Sequence, residues 1–222
     1  LRPAWAEIDL DAIAYNTRNI KQLIGHKDLI AVVKANCYGH GVIDIIPTLL
    51  ENGVSRFAVA MISEALEIRE NNITAPVMIL GFTPLYLGEE LINNDIEQTV
   101  YDLDYARELS KIALSLNKKA KIHIAMDTGM GRIGFKVSKE SVETISRISK
   151  LPNIKMEGMF THFAKADEFD KSYTFAQHEK FLWMKEQLET NGVQISYYDC
   201  DNSAGIIDFP DMKHDLARAG IS

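Results

Sequence analysis

Several short stretches carry side chains suited to group-transfer chemistry. Val33-Lys34-Ala35-Asn36-Cys37-Tyr38-Gly39-His40-Gly41 ends an apolar run with a lysine. Such an amine is either partly desolvated, which lowers its pKa and makes it nucleophilic toward a carbonyl cofactor as a Schiff base, or it packs its stem and sends its charge to a carboxylate or to water. Tyr38 adds a hydroxyl, and Gly39 and Gly41 open the next helix with N–H groups free to face an anion. Asp127-Thr128-Gly129-Met130-Gly131-Arg132-Ile133-Gly134-Phe135 brings backbone and Arg132 close to a bound group, or pairs Arg132 with Asp127. Gly129, Gly131 and Gly134 spell a dinucleotide fingerprint, but Arg132 interrupts it, the best helix cap is Ser138, and it lies past mid-chain. Thr161-His162-Phe163-Ala164-Lys165-Ala166-Asp167 offers an imidazole that can stack on an aromatic ligand or bond to loop backbone. Asn202-Ser203-Ala204-Gly205 is a phosphate contact through Ser203 or an ordinary helix cap. Ala217-Arg218-Ala219-Gly220-Ile221 adds a partner for a phosphate or a ring nitrogen, and two amides. The six histidines show no metal-binding spacing. An amine, a stacking imidazole, two arginines and a phosphate cradle together describe a pyridoxal phosphate (PLP) site.

These residues need a scaffold that gathers chain segments far apart in sequence. Runs rich in β-branched and aromatic residues predict strands over Trp5–Asp9, Leu29–Ala35, Arg56–Met61, Pro76–Phe82, Glu97–Tyr101, Ala120–Asp127, Ile154–Phe163, Gln194–Cys200 and Leu216–Ile221. Between them, apolar residues recur at helical spacing, as in Val42/Ile45/Ile46/Leu49 and Leu103/Ala106/Leu109/Ala113. Asp11, Ser63, Asp102 and Ser138 stand where N-caps belong. Leu29-Ile30-Ala31-Val32-Val33 is apolar on both faces, the mark of a parallel strand covered by helices. Repeated βα units leave a (β/α)8 barrel of TIM type or an open doubly wound sheet. The polar clusters after strand C-terminal ends favour the barrel, as an α/β domain over residues 1–222.

Composition narrows the function. Of 222 residues, 46% are hydrophobic and 25% charged, which excludes a disordered tail or a fibrous repeat. A net charge of −7 disfavours nucleic acid. Cys37 and Cys200 sit in plain βα surroundings, which reads as a reduced, cytoplasmic chain. No run approaches the roughly 18 apolar residues of a membrane span, so no membrane contact by this domain is expected. The ends, Leu1 and Gly220-Ile221-Ser222, suggest a piece of a longer protein.

The sequence resembles the N-terminal barrel domain of the alanine racemase family. AVVKANCYGHG (Ala31–Gly41) is similar to that family's PLP-lysine signature. The likeness continues through FAVAMISEALEIR (Phe57–Arg69), PVMILGFTP, DTGMGRIGF, THFAKAD, DNSAG and RAGIS, over essentially the whole chain. The resemblance implies that Lys34 carries PLP as a Schiff base and is one of two acid/base groups. It places Tyr38, Ser203 and the Gly220 and Ile221 amides at the phosphate, Arg132 near the phenolic oxygen, His162 near the ring and Arg218 at the pyridine nitrogen. Lys34, Arg132 and His162 are then the catalytic set of an amino-acid racemase that interconverts L- and D-alanine for peptidoglycan precursors, as a cytoplasmic homodimer.

Two departures from the family pattern stand out. The family's second base is a tyrosine in a C-terminal β-domain, presented across a dimer interface. The chain stops at Ser222, so this fragment alone is expected to be inactive. Many members carry a lysine, often carbamylated, at the position of Ala125, so the contact that orients Arg132 is missing or comes from a neighbouring side chain or an anion. This leaves serine beside alanine as a substrate, since serine racemases of glycopeptide-resistance systems are similar in this domain and are fused behind a membrane segment. Two further readings are a non-catalytic PLP carrier sharing the barrel and a nicotinamide-dependent dehydrogenase built on the glycine run.

Overall fold

The computed structural model describes residues 5–209, 212 and 214–220. Helix α1 (Leu10–Ile24) precedes β1 (Asp28–Val32), a one-turn segment α2 (Lys34–Tyr38), α3 (Val42–Glu51) and β2 (Val54–Val59). Then follow α4 (Ile62–Glu70), β3 (Val77–Ile79), α5 (Gly88–Asn93), β4 (Glu97–Val100), α6 (Leu103–Ser115) and β5 (Ala120–Asp127). The remainder is β6 (Phe135–Lys136), α7 (Lys139–Ile148), β7 (Ile154–Phe160), α8 (Ser172–Thr190), β8 (Tyr197–Asp201), α9 (Ser203–Asp208) and β9 (Leu216–Ala219).

The strand order β1-β2-β3-β4-β5-β7-β8-β9 returns to β1, with Ile30 of β1 opposite Arg218 of β9. All pairs are parallel, and β6 only adds two residues beside β5. The sheet is a closed (β/α)8 barrel of TIM type, which excludes the open doubly wound alternative. Closure explains the strand sequences: each strand faces helices on one side and the lumen on the other, so both faces are buried and runs such as Leu29-Ile30-Ala31-Val32 are apolar on both.

The lumen holds Ile30, Ala58, Met78, Ala125, Phe160 and Leu216. One pleat repeat earlier along β2 and β5, toward the strand N-termini, stand the buried Arg56 and His123. Arg56 donates to both oxygens of Glu97 at 2.8 and 3.0 Å and lies 3.6 Å from Glu157, while His123 Nε2 is 2.7 Å from Glu97. Arg56 also lies over the Tyr197 ring at 4.9 Å. The barrel floor is thus a buried ionic cluster, and its other end is left for a site.

The predicted strand Trp5–Asp9 is not formed. Its alternation suits a strand, but a closed barrel offers it no partner. Asp9 instead caps α1 by accepting the Ala12 N–H at 3.0 Å, in place of the expected Asp11. At α4 the cap position is Met61 instead of Ser63, because Glu64, three residues on, accepts the N–H groups of Ala60 and Met61. Asp102 and Ser138 cap α6 and α7 as predicted. β1 ends at Val32, short of the expected Ala35, because the chain there turns left-handed. Among the described residues, no helix is long and apolar enough to cross a membrane.

Candidate active site

Lys34 follows the C-terminal end of β1 and is half-buried. Among the described residues no carboxylate lies within ion-pair distance of it, so the reading that pairs its charge is not met. The next four residues form an unusual backbone. Ala35, Asn36, Cys37 and Tyr38 all have φ between 52° and 54°, with Cys37 N–H donating to Val33 O and Gly39 N–H to Ala35 O. This is a left-handed helical turn built from residues with a Cβ, each costing about 1–2 kcal/mol. Gly39, at φ 89°, ends it.

The turn aims Tyr38 at β9. A Cβ built on Gly220 would lie 2.6 Å from the Tyr38 hydroxyl and 3.4 Å from Val32 Cβ, so only glycine fits beneath that hydroxyl. Gly220 N–H in turn donates to Ser203 Oγ at 3.0 Å. Tyr38, Ser203 and Gly220 therefore lie together as one cluster. Asn202, not Ser203, caps α9 by accepting the Gly205 N–H at 2.9 Å, which leaves the serine hydroxyl for this cluster. Ile221 lies outside the described residues.

Arg218 is buried in β9. It forms an ion pair with Asp199 and donates to Thr161 O at 2.7 Å, and it lies over the Phe160 ring at 5.0 Å. Burial and the nearby Arg132 charge pull its pKa down, while the Asp199 carboxylate holds the charge in place. Arg132 is exposed and makes no ion pair among the described residues. Asp127 does not bind it, because Asp127 Oδ1 accepts the Gly129 and Gly131 N–H groups at 3.0 and 2.9 Å. The three glycines lie in the loop between β5 and β6, and the next helix begins only at Lys139. They do not open a helix, as a dinucleotide site requires. Ala125 packs in the lumen and offers Arg132 no polar contact.

His162 lies beyond β7. Its pKa is driven down to about 3, first by burial and then by the charges of Arg218, Arg132 and Lys34. The imidazole is neutral at pH 7, the form that stacks without opposing those three cations. Lys34 follows β1, Arg132 follows β5, His162 follows β7 and Arg218 lies near the end of β9, all toward the C-terminal end of the barrel strands. Among the described residues its ring makes no hydrogen bond, so the loop-backbone reading is not met.

Sequence reasoning passed over three supporting residues. Asp199 lay within a quoted cluster but had no role until its ion pair with Arg218 was seen. Gln177 of α8, fully buried, donates to Thr128 Oγ1 and His162 O and accepts the Ala164 N–H, tying the loop after β5 to the loop after β7. Its signal was its place on the buried stripe Thr174/Gln177/Phe181/Met184/Leu188, where a polar residue needs a reason. Glu64, inside FAVAMISEALEIR, is the third.

The family model described as alanine racemase, N-terminal domain, matches residues 8–222. The chain belongs to that family. It is 56% identical over 221 residues to the alanine racemase of Clostridium perfringens strain SM101, covering 100% of this chain and 57% of that protein. To the alanine racemase of Clostridium tetani it is 54% identical, again covering 57% of that protein. The solved alanine racemase of Clostridium difficile 630 superposes with a TM-score of 0.96 at 43% identity, over 99% of this chain and 58% of that one. The Bacillus anthracis alanine racemase with bound L-Ala-P gives a TM-score of 0.93 at 35% identity, over 100% of this chain and 57% of that one. The chain thus spans well under two thirds of the length of these alanine racemases.

Proposed function

We propose that residues 1–222 form the PLP-binding barrel of a homodimeric, cytoplasmic alanine racemase that interconverts L- and D-alanine for peptidoglycan precursors. The observation that carries this reading is the convergence of Lys34, Tyr38, Arg132, His162, Ser203, Arg218 and Gly220 at one end of the barrel. The family membership and the L-Ala-P bound by the Bacillus anthracis relative support alanine as the substrate.

The residues fit the cofactor. The Tyr38 hydroxyl, the Ser203 hydroxyl and the Gly220 N–H lie close together and would serve as donors to the cofactor phosphate, and the absence of a Cβ at Gly220 lets the Tyr38 hydroxyl sit there. Bound PLP supplies an electron sink that makes the substrate Cα–H acidic. Lys34 would hold the cofactor, and its amine would move a proton at the substrate Cα on its own face. Arg218, pinned by Asp199 and Thr161, would meet the pyridine nitrogen with a group that gives up no proton at neutral pH. A guanidinium there would not protonate that nitrogen, which would disfavour transamination. Neutral His162 would stack beside the ring, and Arg132 would meet the phenolic oxygen. The base for the opposite face is a tyrosine outside these residues, reached across the dimer.

Two experiments follow. Gly220→Ala is expected to push the Tyr38 hydroxyl aside and weaken PLP binding about tenfold, the effect of modest overpacking, with the circular dichroism unchanged. Unaltered affinity by absorbance titration would remove the cradle. For the activity, full-length protein saturated with PLP is assayed for conversion of L- to D-alanine and of L- to D-serine. Faster turnover of alanine is expected. Serine ahead of alanine reverses the substrate, and PLP binding with neither reaction indicates a carrier.

A further inference from the structure

The left-handed turn after Lys34 needs something to hold it, since four residues with side chains there adopt a backbone they intrinsically avoid. One carboxylate reaches it from the neighbouring barrel unit. Glu64 Oε1 accepts the N–H of Ala35, the residue next to Lys34, at 2.6 Å. Glu64 Oε2 accepts the N–H groups of Ala60 and Met61 at 2.7 and 3.2 Å, at the end of β2. The Ala35 N–H lies in the first turn, before the helical bonds begin at Cys37, so the turn itself gives it no acceptor. Asn36 Oδ1, accepting the Val42 N–H at 2.8 Å, secures the far end. Among the described residues no lysine or arginine pairs with Glu64, and its charge is met by these three backbone donors.

We propose that Glu64 is a positioning residue for the cofactor site. Its carboxylate locks the handedness of the Lys34–Tyr38 turn and thereby fixes the Lys34 amine and the Tyr38 hydroxyl relative to Gly220. This rests on the PLP reading of that site. The handedness matters because Tyr38 is four residues from Lys34. Relaxed toward ordinary φ, the same residues would carry the hydroxyl away from the space beneath which Gly220 has no Cβ. The clamp acts at a distance from the reacting atoms, through the peptide that follows the lysine.

The test compares wild type, Glu64→Gln, Ala35→Gly, the double variant and Glu67→Gln, an exposed control on the same helix. Full-length protein is titrated with PLP, and the affinity, the visible band and its pH titration, and the thermal midpoint are recorded. Glu64→Gln turns an acceptor into an amide donor facing backbone donors. It is expected to weaken PLP binding about tenfold, as for loss of one charge-assisted hydrogen bond, and to shift the pH at which the band titrates. Ala35→Gly alone stays near wild type, because glycine adopts the left-handed region without cost. In the double variant glycine restores most of the lost affinity. Glu67→Gln changes nothing. Should Glu64→Gln fail to fold, Glu64→Asp, one methylene too short to bridge both loops, replaces it. Affinity within twofold of wild type with an unshifted band overturns the proposal. So does a loss that glycine at position 35 does not restore, which marks Glu64 as merely structural. A wild-type protein that binds no PLP defeats the underlying reading and the clamp with it. Normal wild-type binding with an indifferent Glu64 variant defeats the clamp alone.

Discussion

Lys34→Ala is expected to leave the full-length protein folded, able to hold PLP only loosely, and slower in alanine racemisation by at least about a thousandfold, the contribution of a positioned acid/base group alone. Two losses combine. The covalent anchor would disappear, leaving PLP to the non-covalent contacts proposed for Tyr38, Arg132, His162, Ser203, Arg218 and the Gly220 amide. One of the two proton-transfer groups also disappears, and inversion at Cα needs one on each face. The fold should tolerate the change, because Lys34 is half-buried and makes no ion pair among the described residues. The checks are a PLP titration, a racemisation assay and a thermal melt on the same preparation. A variant with wild-type turnover would remove Lys34 from the chemistry. A variant that melts far earlier would give it a structural role instead.

The largest effect on stability lies at the other end of the barrel. Glu97→Ala is expected to cost about 3–5 kcal/mol, the range for breaking a buried pair and leaving its partner uncompensated. For a chain of this size that is a fall of roughly 6–20 °C in the thermal midpoint. Glu97 is 2% exposed and receives two bonds from Arg56 and one from His123. Burial alone would raise its pKa, but the His123 and Arg56 interactions outweigh burial and hold it at about 2. Because the folded value lies below the ordinary value near 4.3, the stabilisation is fully present above pH ~4.3 and is lost as pH falls toward 2. The gap between wild type and variant should therefore narrow in acid. Replacing Arg56 by Met together with Glu97 by Leu should recover part of the loss, since no buried arginine is then left without its carboxylate and Glu157 keeps its Lys155 partner. A single variant within 1 kcal/mol of wild type by denaturant melts would show that the cluster is not held as described.

How far the sequence reveals this molecule depends on what each residue has to satisfy locally. β5 runs from Ala120 to Asp127 as its apolar pattern predicts. A buried strand needs only its own side chains to declare itself. Closure was legible only as a preference, because β9 meets β1 across nearly the whole sequence. Trp5–Asp9 misled because alternation tests the faces of a strand and not the presence of a neighbour. The left-handed turn was hidden: Ala35, Cys37 and Tyr38 give no local hint of positive φ, and only Gly39 and Gly41 mark the place. The floor cluster was also hidden, since Arg56, Glu97, His123 and Glu157 come from four strands and each reads singly as a charge near a strand end. The candidate site positions stand out in the sequence for the opposite reason. Each lies near or beyond the end of a predicted strand, and a barrel brings such positions to one rim.

The most direct measurement is reduction of the PLP-loaded protein with borohydride, followed by peptide mass spectrometry. The expected result is a phosphopyridoxyl group on Lys34 and on no other lysine. A label on a different lysine, or none with excess cofactor present, would contradict the assignment of this barrel end as a racemase site.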